Sequence, residues 1–180
     1  MDDIKILNKK IVHDDWLQVE IHRLQYPNGQ EQNYHTIKFK DAENGVAIIG
    51  ITEKNKIILI TQYRYAVGKE MLELPMGGVM KGEKAEHAAK RELEEETGYK
   101  AKEIKKISIK YPLQNLTNHH ITYFIATGLT KGKSKPEPTE KISSIKQFTI
   151  EEALQKVING EISDTVSSTG ILLYDKIRLK

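Results

Sequence analysis

The chain has 180 residues, a formal net charge of +3, 38% hydrophobic and 29% charged residues, which suits one domain with a sizeable core and room for a small appendage. It contains no cysteine, excluding disulfides and thiolate chemistry, and its longest apolar stretches, 46–51 and 57–60, are too short to cross a membrane. The opening MDDIKILNKK lacks a signal-peptide core, so a cytoplasmic protein is expected, and scattered lysines with modest clusters at 102–110 and 131–135 give only weak support to a nucleic-acid surface.

In chain order, residues 16–26 and 32–39 alternate on either side of Pro27-Asn28-Gly29, and Asn-Gly between alternating segments predicts a β-hairpin, with Leu17, Val19 and Ile21 on one face. The β-branched runs at 46–51 and 56–62, joined by Glu53-Lys54-Asn55, are expected to pair with each other. Gly77, Gly78 and Gly82 predict a loop before a helix that buries Ala85, Ala88, Ala89 and Leu93 and closes at Gly98. Strands follow near 104–111 and 120–127, the first with Ile107, Ile109 and Tyr111 alternating with Ser108 and Lys110. The segment KGKSKPEPTEK, 131–141, reads as an exposed flexible connection. Thr149 and Glu152 form a capping box opening a helix that stops before Gly160, and a last helix follows Asp164, over about 165–177. This order of strands, helix, strands and helices predicts an α/β protein, a mixed sheet between helices preceded by a small antiparallel sheet.

The helix ending at Gly98 carries an unusual charge pattern. Glu92 is three and four positions from Glu95 and Glu96, spacings at which like charges face each other. Glu94 adds a further acid where the helix dipole already disfavours them, and the nearest following base, Lys100, lies beyond the glycine. A divalent cation held by oxygen ligands relieves this repulsion; magnesium in particular takes one or two carboxylates, keeps waters and bridges to phosphates. The histidines are a poorer metal set. His119 and His120 adjoin in an expected strand and so face opposite ways, and His87 lies well around the helix from Glu92.

The segment GGVMKGEKAEHAAKRELEEETGY resembles the Nudix box at every spacing: Gly77, five residues, Glu83, seven residues, Arg91-Glu92-Leu93, one residue, Glu95-Glu96, one residue, Gly98. It departs only in having Tyr99 where an aliphatic residue is common. The resemblance implies hydrolysis of a nucleoside diphosphate linked to another moiety, with Mg2+ or Mn2+ as cofactor. It makes Glu92 and Glu96 the principal metal ligands, Glu95 a ligand or catalytic acid, Met76 a ligand through its carbonyl, Glu83 a supporting acid and Arg91 a structural ion-pair partner. The general base in such enzymes is sometimes a box glutamate and sometimes an acid of a later loop, for which Glu140 is the first candidate here and Glu137 the second, with ordinary loop acids as the alternative reading.

Beyond the box, LITQYRYAVGKEMLELPMGGVMKGE, 59–83, resembles the approach to the box in enzymes acting on ADP-ribose and related nucleoside diphosphate sugars. That likeness implies a Nudix-type α/β/α sandwich at 43–180, with an N-terminal antiparallel sheet at 1–42 that joins two copies into a homodimer. It makes Arg64 a candidate phosphate contact, with an ion pair to Glu73 as the structural alternative, and Trp16 a candidate for stacking on a nucleobase across a dimer interface, with plain core or interface packing as its alternative. Where that branch commonly has Ser-Pro-Gly, this chain has Tyr111-Pro112-Leu113-Gln114-Asn115, which sets a nucleoside diphosphate hexose beside ADP-ribose as substrate. Gln114, Asn115, Thr117 and Asn118 are candidates for sugar hydroxyls. Dinucleoside polyphosphates, nucleoside triphosphates or a capped RNA end are the alternative substrates, and a non-catalytic sensor the third class; no box glutamate is lost, as a sensor would suggest.

Overall fold

The computed structural model describes residues 3–179, leaving aside the side chain of Glu43. Three strands, β1 (Lys5–Asp14), β2 (Leu17–Gln25) and β3 (Glu31–Phe39), form an antiparallel sheet in that order. The β2–β3 hairpin turns at Pro27-Asn28-Gly29, where Gly29 has φ 83° and the Tyr26 N–H donates to Gln30 O at 2.8 Å. All ten residues of β1, a strand that the polar sequence KILNKKIVHD does not announce, are exposed. Leu17, Val19 and Ile21 are only half-buried; the most buried residue of β2 is Glu20, held by Lys38 at 2.5 Å and His22 at 2.6 Å. The sheet is fastened to the rest of the chain through β3, where the Ile37 N–H donates to Leu116 O at 2.8 Å and the Tyr34 hydroxyl to Asn115 O at 2.6 Å.

The remaining strands are β4 (Ala42–Gly50), β5 (Ile57–Arg64), β6 (Lys69–Glu73), β7 (Met76–Met80), β8 (Tyr99–Lys110), β9 (Ile121–Lys131) and β10 (Ile142–Phe148). They make a mixed four-stranded sheet, β7-β4-β9-β8, and an antiparallel one, β10-β5-β6. The expected pairing of β4 with β5 reduces to one bridge, Ile51 with Ile57. A strand has two edges, and both edges of β4 are taken, antiparallel by β7 and parallel by β9. The glycines expected in a loop are likewise in a strand: Gly77 and Gly78 belong to β7, and only Gly82, at φ 79°, lies in the turn before the helix.

Because side chains alternate along a strand, β4 feeds two cores. Val46 and Ile48 pack with Leu93 and Phe124 under α1 (Ala85–Thr97), while Ala47 and Ile49 pack with Tyr123 and Ile171 under α2 (Ile150–Ile158) and α3 (Thr165–Arg178). The sheets therefore lie between helices, an α/β/α sandwich with the antiparallel sheet attached. The capping box at α2 is complete: the Glu152 N–H donates to Thr149 Oγ1 at 3.1 Å and the Thr149 N–H to Glu152 Oε2 at 2.8 Å. Asp164 caps α3 by accepting from the Ser167 N–H at 2.7 Å.

Candidate active site

The site forms where α1 crosses β7. Glu92 sits on the turn of α1 that packs against this strand, and its carboxyl group fills the space that a Cβ at Gly77 would occupy. One helical turn on, Glu96 is 1% exposed, and its Oε2 accepts the Met76 N–H at 3.0 Å. This brings the Met76 main chain beside the two acids. Among the described residues Glu96 Oε1 is buried without a hydrogen-bond partner, a costly arrangement for a carboxylate oxygen that a cation would satisfy.

Arg91 organises the other side. Its Nε and Nη2 bond Glu83 at 3.1 and 3.0 Å, Nη2 also reaches Gly78 O at 2.9 Å, and Nη1 bonds Glu92 at 2.7 Å and Glu95 at 3.1 Å. One guanidinium thus ties the loop, β7 and α1 together, and Glu83 holds the turn by accepting the Met80 N–H at 3.1 Å. The acids at the helix end are less bare than their sequence suggests, since Lys100 folds back across Gly98 to pair with Glu94 at 3.0 Å. Glu95, one-third exposed, faces a hollow shared with Lys133 and Lys135.

The loop at 131–141 brings its acids to the same place. Glu137 and Glu140 line a cleft of about 550 Å³ together with Glu92, Arg91, Gly77 and Lys40. The segment is exposed, yet not a loose tether: the Lys135 N–H donates to Glu95 O at 2.8 Å and the Glu140 N–H to Glu137 O at 2.9 Å. Burial, with the nearby Glu140 carboxylate contributing, pushes Glu92 up to about 7 and Glu96 up to about 9. Burial, with the charges of Glu137 and Glu95, raises Glu140 as well. Mutually raised carboxylates in one cleft suit a divalent cation. As the side chains stand, no group of three His, Asp or Glu among the described residues closes on one point. Glu92 and Glu95 each turn one carboxylate oxygen onto Arg91, Oε1 and Oε2 respectively.

The remaining candidates lie around this centre. Arg64 is engaged by Glu73, Nε at 3.0 Å and Nη2 at 2.6 Å from Oε2, so the ion-pair alternative is present. Trp16 is 60% exposed, its ring 6.0 Å from Phe39, which in turn lies 4.8 Å from His119. His119 and His120 precede β9 rather than lie in it; the first packs on Phe39 and the second on Tyr111, at 5.6 Å. A Cβ on Gly45 would lie 3.3 Å from His119 Nε2 and 3.5 Å from Gly77 O, so this aromatic row reaches the seam of β4 and β7. Gln114, Thr117 and Asn118 line a separate cavity of about 380 Å³ with Tyr34, Lys38 and Tyr111. The close approach at Gly77 and the tether through Lys135 are features that sequence reasoning missed; the glycine-glutamate spacing of the motif was the available signal for the first.

Comparison with known proteins agrees with this geometry. The NUDIX domain family matches residues 42–166. The chain is 30% identical over 172 residues to an ADP-ribose pyrophosphatase of Bacillus subtilis (strain 168), covering 95% of this chain and 91% of the relative. It is 31% identical over 150 residues to a methanol dehydrogenase activator of Bacillus methanolicus, covering 83% and 80%. A solved structure described as an ADP compounds hydrolase has the same fold, with a TM-score of 0.88 over 98% of this chain and 94% of the other at 19% identity. With that match running from β4 into α3, and with Glu92 and Glu96 gathered against Gly77 and Met76, the chain belongs to the Nudix hydrolases.

Proposed function

We propose that this protein hydrolyses the diphosphate bond of a nucleoside diphosphate sugar, releasing a nucleoside monophosphate and a sugar phosphate, with Mg2+ or Mn2+ held by Glu92 and Glu96. The observation that carries the reading is Glu96 Oε1, buried without a hydrogen-bond partner among the described residues and close to Glu92 and Glu140, which line one cleft. The relatives named for ADP-ribose support the substrate class. Nudix hydrolases generally use divalent metals; bound here, the ion would neutralise diphosphate oxygens and make water acidic enough to attack.

The chain's own residues supply the rest. Glu92, Glu96 and the Met76 carbonyl would hold the ion, with Glu95 as a further ligand. Glu140 is the base, its proton affinity raised by burial and by the charges of Glu137 and Glu95, with Glu137 as second candidate. Arg64, held beside Glu73, offers its remaining donors to a phosphate. The cavity between β3 and the 111–118 loop takes the sugar or nucleoside end, with Gln114, Thr117 and Asn118 as hydrogen-bonding groups, and the exposed Trp16 ring is the stacking surface offered to a nucleobase across the dimer interface.

The antiparallel sheet is the surface on which a second copy of this chain docks, since β1 exposes Ile6, Leu7, Ile11 and Val12 along one edge. The test of function is phosphate-coupled turnover with Mg2+ across ADP-ribose, GDP-mannose, UDP-glucose, diadenosine polyphosphates and nucleoside triphosphates. Preference for a diphosphate sugar is expected; activity confined to polyphosphates overturns the substrate assignment.

A further inference from the structure

Residues 136–140, Pro-Glu-Pro-Thr-Glu, span the cleft between two main-chain anchors. Before the span, the Lys135 N–H donates to Glu95 O at 2.8 Å and the Gly132 N–H to Gly98 O at 2.7 Å. After it, the Tyr63 N–H of β5 donates to Lys141 O at 3.1 Å. The first anchor uses carbonyls at the end of α1, groups that a helix leaves without internal partners. Within the span, the Glu137 N–H donates to Glu140 Oε2 at 3.0 Å, closing a compact turn that carries both acids.

Docking of 132–135 on α1 depends on what is missing at Gly98. A Cβ there would lie 2.7 Å from Ser134 N and 2.9 Å from Gly132 O and Lys133 C. All three are main-chain atoms, which cannot swing aside as a side-chain tip can. Gly98 also has φ 75°, so its backbone alone favours glycine. The two requirements are separable, because asparagine tolerates the left-handed conformation but still carries a Cβ.

We propose that Gly98 is a positioning residue for hydrolysis: by admitting segment 132–135 against the end of α1, it fixes where Glu140 stands relative to the acids of the helix. The inference rests on the reading of Glu140 as the base. The acids that would hold the ion and the acid that takes the proton are then built on one unit, joined by main-chain hydrogen bonds instead of by a free loop.

The experiment measures kcat, KM and Mn2+ affinity in the full-length protein for Gly98→Asn, Lys135→Pro, Glu140→Gln and each of the first two combined with the third. Lys135→Pro deletes the donor to Glu95 O without adding an atom at Gly98, so it keeps the test open if Gly98→Asn does not fold. Each is expected to lower kcat by about 10- to 100-fold, as small misplacements of a reacting group do. KM and Mn2+ affinity should stay within about twofold, and adding Glu140→Gln should cost nothing more, because residues that act as one unit are non-additive. Full kcat in the folded variants, losses that multiply with Glu140→Gln, or a parallel fall in Mn2+ affinity overturns the proposal. If Glu140→Gln alone leaves turnover intact, the base assignment has failed, and the positioning role falls with it.

Discussion

Gly77 and Glu92 are a matched pair, one leaving the space that the other's carboxyl group fills. In Gly77→Ala the obstructing atoms belong to a flexible side-chain end, so Glu92 should be displaced while the fold survives. Mg2+ affinity is then expected to fall by roughly tenfold or more with little change in Tm, as when a metal ligand loses its support; calorimetry on the folded variant checks this. Glu96 behaves differently, since its carboxylate is buried with one oxygen unpartnered. Its folded-state value of about 9 lies above the ordinary 4.5, so the folded protein binds that proton more tightly than the unfolded chain does. The associated stability is fully present below the ordinary value and is lost as pH rises through about 7 for Glu92 and about 9 for Glu96. Metal-free protein in chelator should therefore melt at progressively lower temperature from pH 5 to pH 9, and Mg2+ should reverse the loss at the alkaline end. Glu96→Gln should flatten that slope, hold or raise the metal-free Tm, and abolish the gain from Mg2+. A Glu96→Gln variant that unfolds, with full activity in the fraction that stays folded, would make the residue structural.

At the scale of elements, local rules and long-range ones separate cleanly. Thr149 and Glu152 lie three residues apart and satisfy each other's main-chain donors, so Thr149→Ala should cost about 1 kcal/mol in chemical denaturation while kcat is unchanged. A loss of activity there would mean that α2 communicates with the cleft. Gly98 ends α1 as a left-handed glycine should, and the Asn-Gly turn sets the β2–β3 register from Leu17–Phe39 to Gln25–Glu31. The partners of β4 were not available from its own residues. Val46 to Ile51 reads only as a strand buried on both faces, and the strands that occupy its edges lie about 30 and 75 residues further along the chain.

For the whole molecule, the sheet of β1, β2 and β3 is the part whose own chain buries it least. Its outer strand exposes Ile6 and Ile11 at 53% each, while the sheet's buried polar residue, Glu20, is compensated by Lys38 and His22. Placing charge on that edge, as in Ile6→Lys with Ile11→Lys, should convert a dimer to a monomer in analytical ultracentrifugation without loss of secondary structure. A wild-type chain that sediments as a monomer removes the dimer assignment. If Trp16 serves the partner's cleft, KM should rise in the monomeric variant while Mg2+ affinity holds.

What could be read along the chain is local: eight motif positions at fixed spacing, three acids on one helix, a capping box and a hairpin turn, all relations set by short separations in sequence. Tertiary structure alone decided that Gly77 is a strand residue pressed on Glu92, that Arg64 turns to Glu73, that Lys100 reaches back to Glu94, and that Lys135 ties the later acids to α1. The physical reason is range. Periodicity and capping are set by neighbouring dihedrals and side chains, whereas a carboxylate's burial, its proton affinity and its partner depend on which distant backbone the fold brings against it.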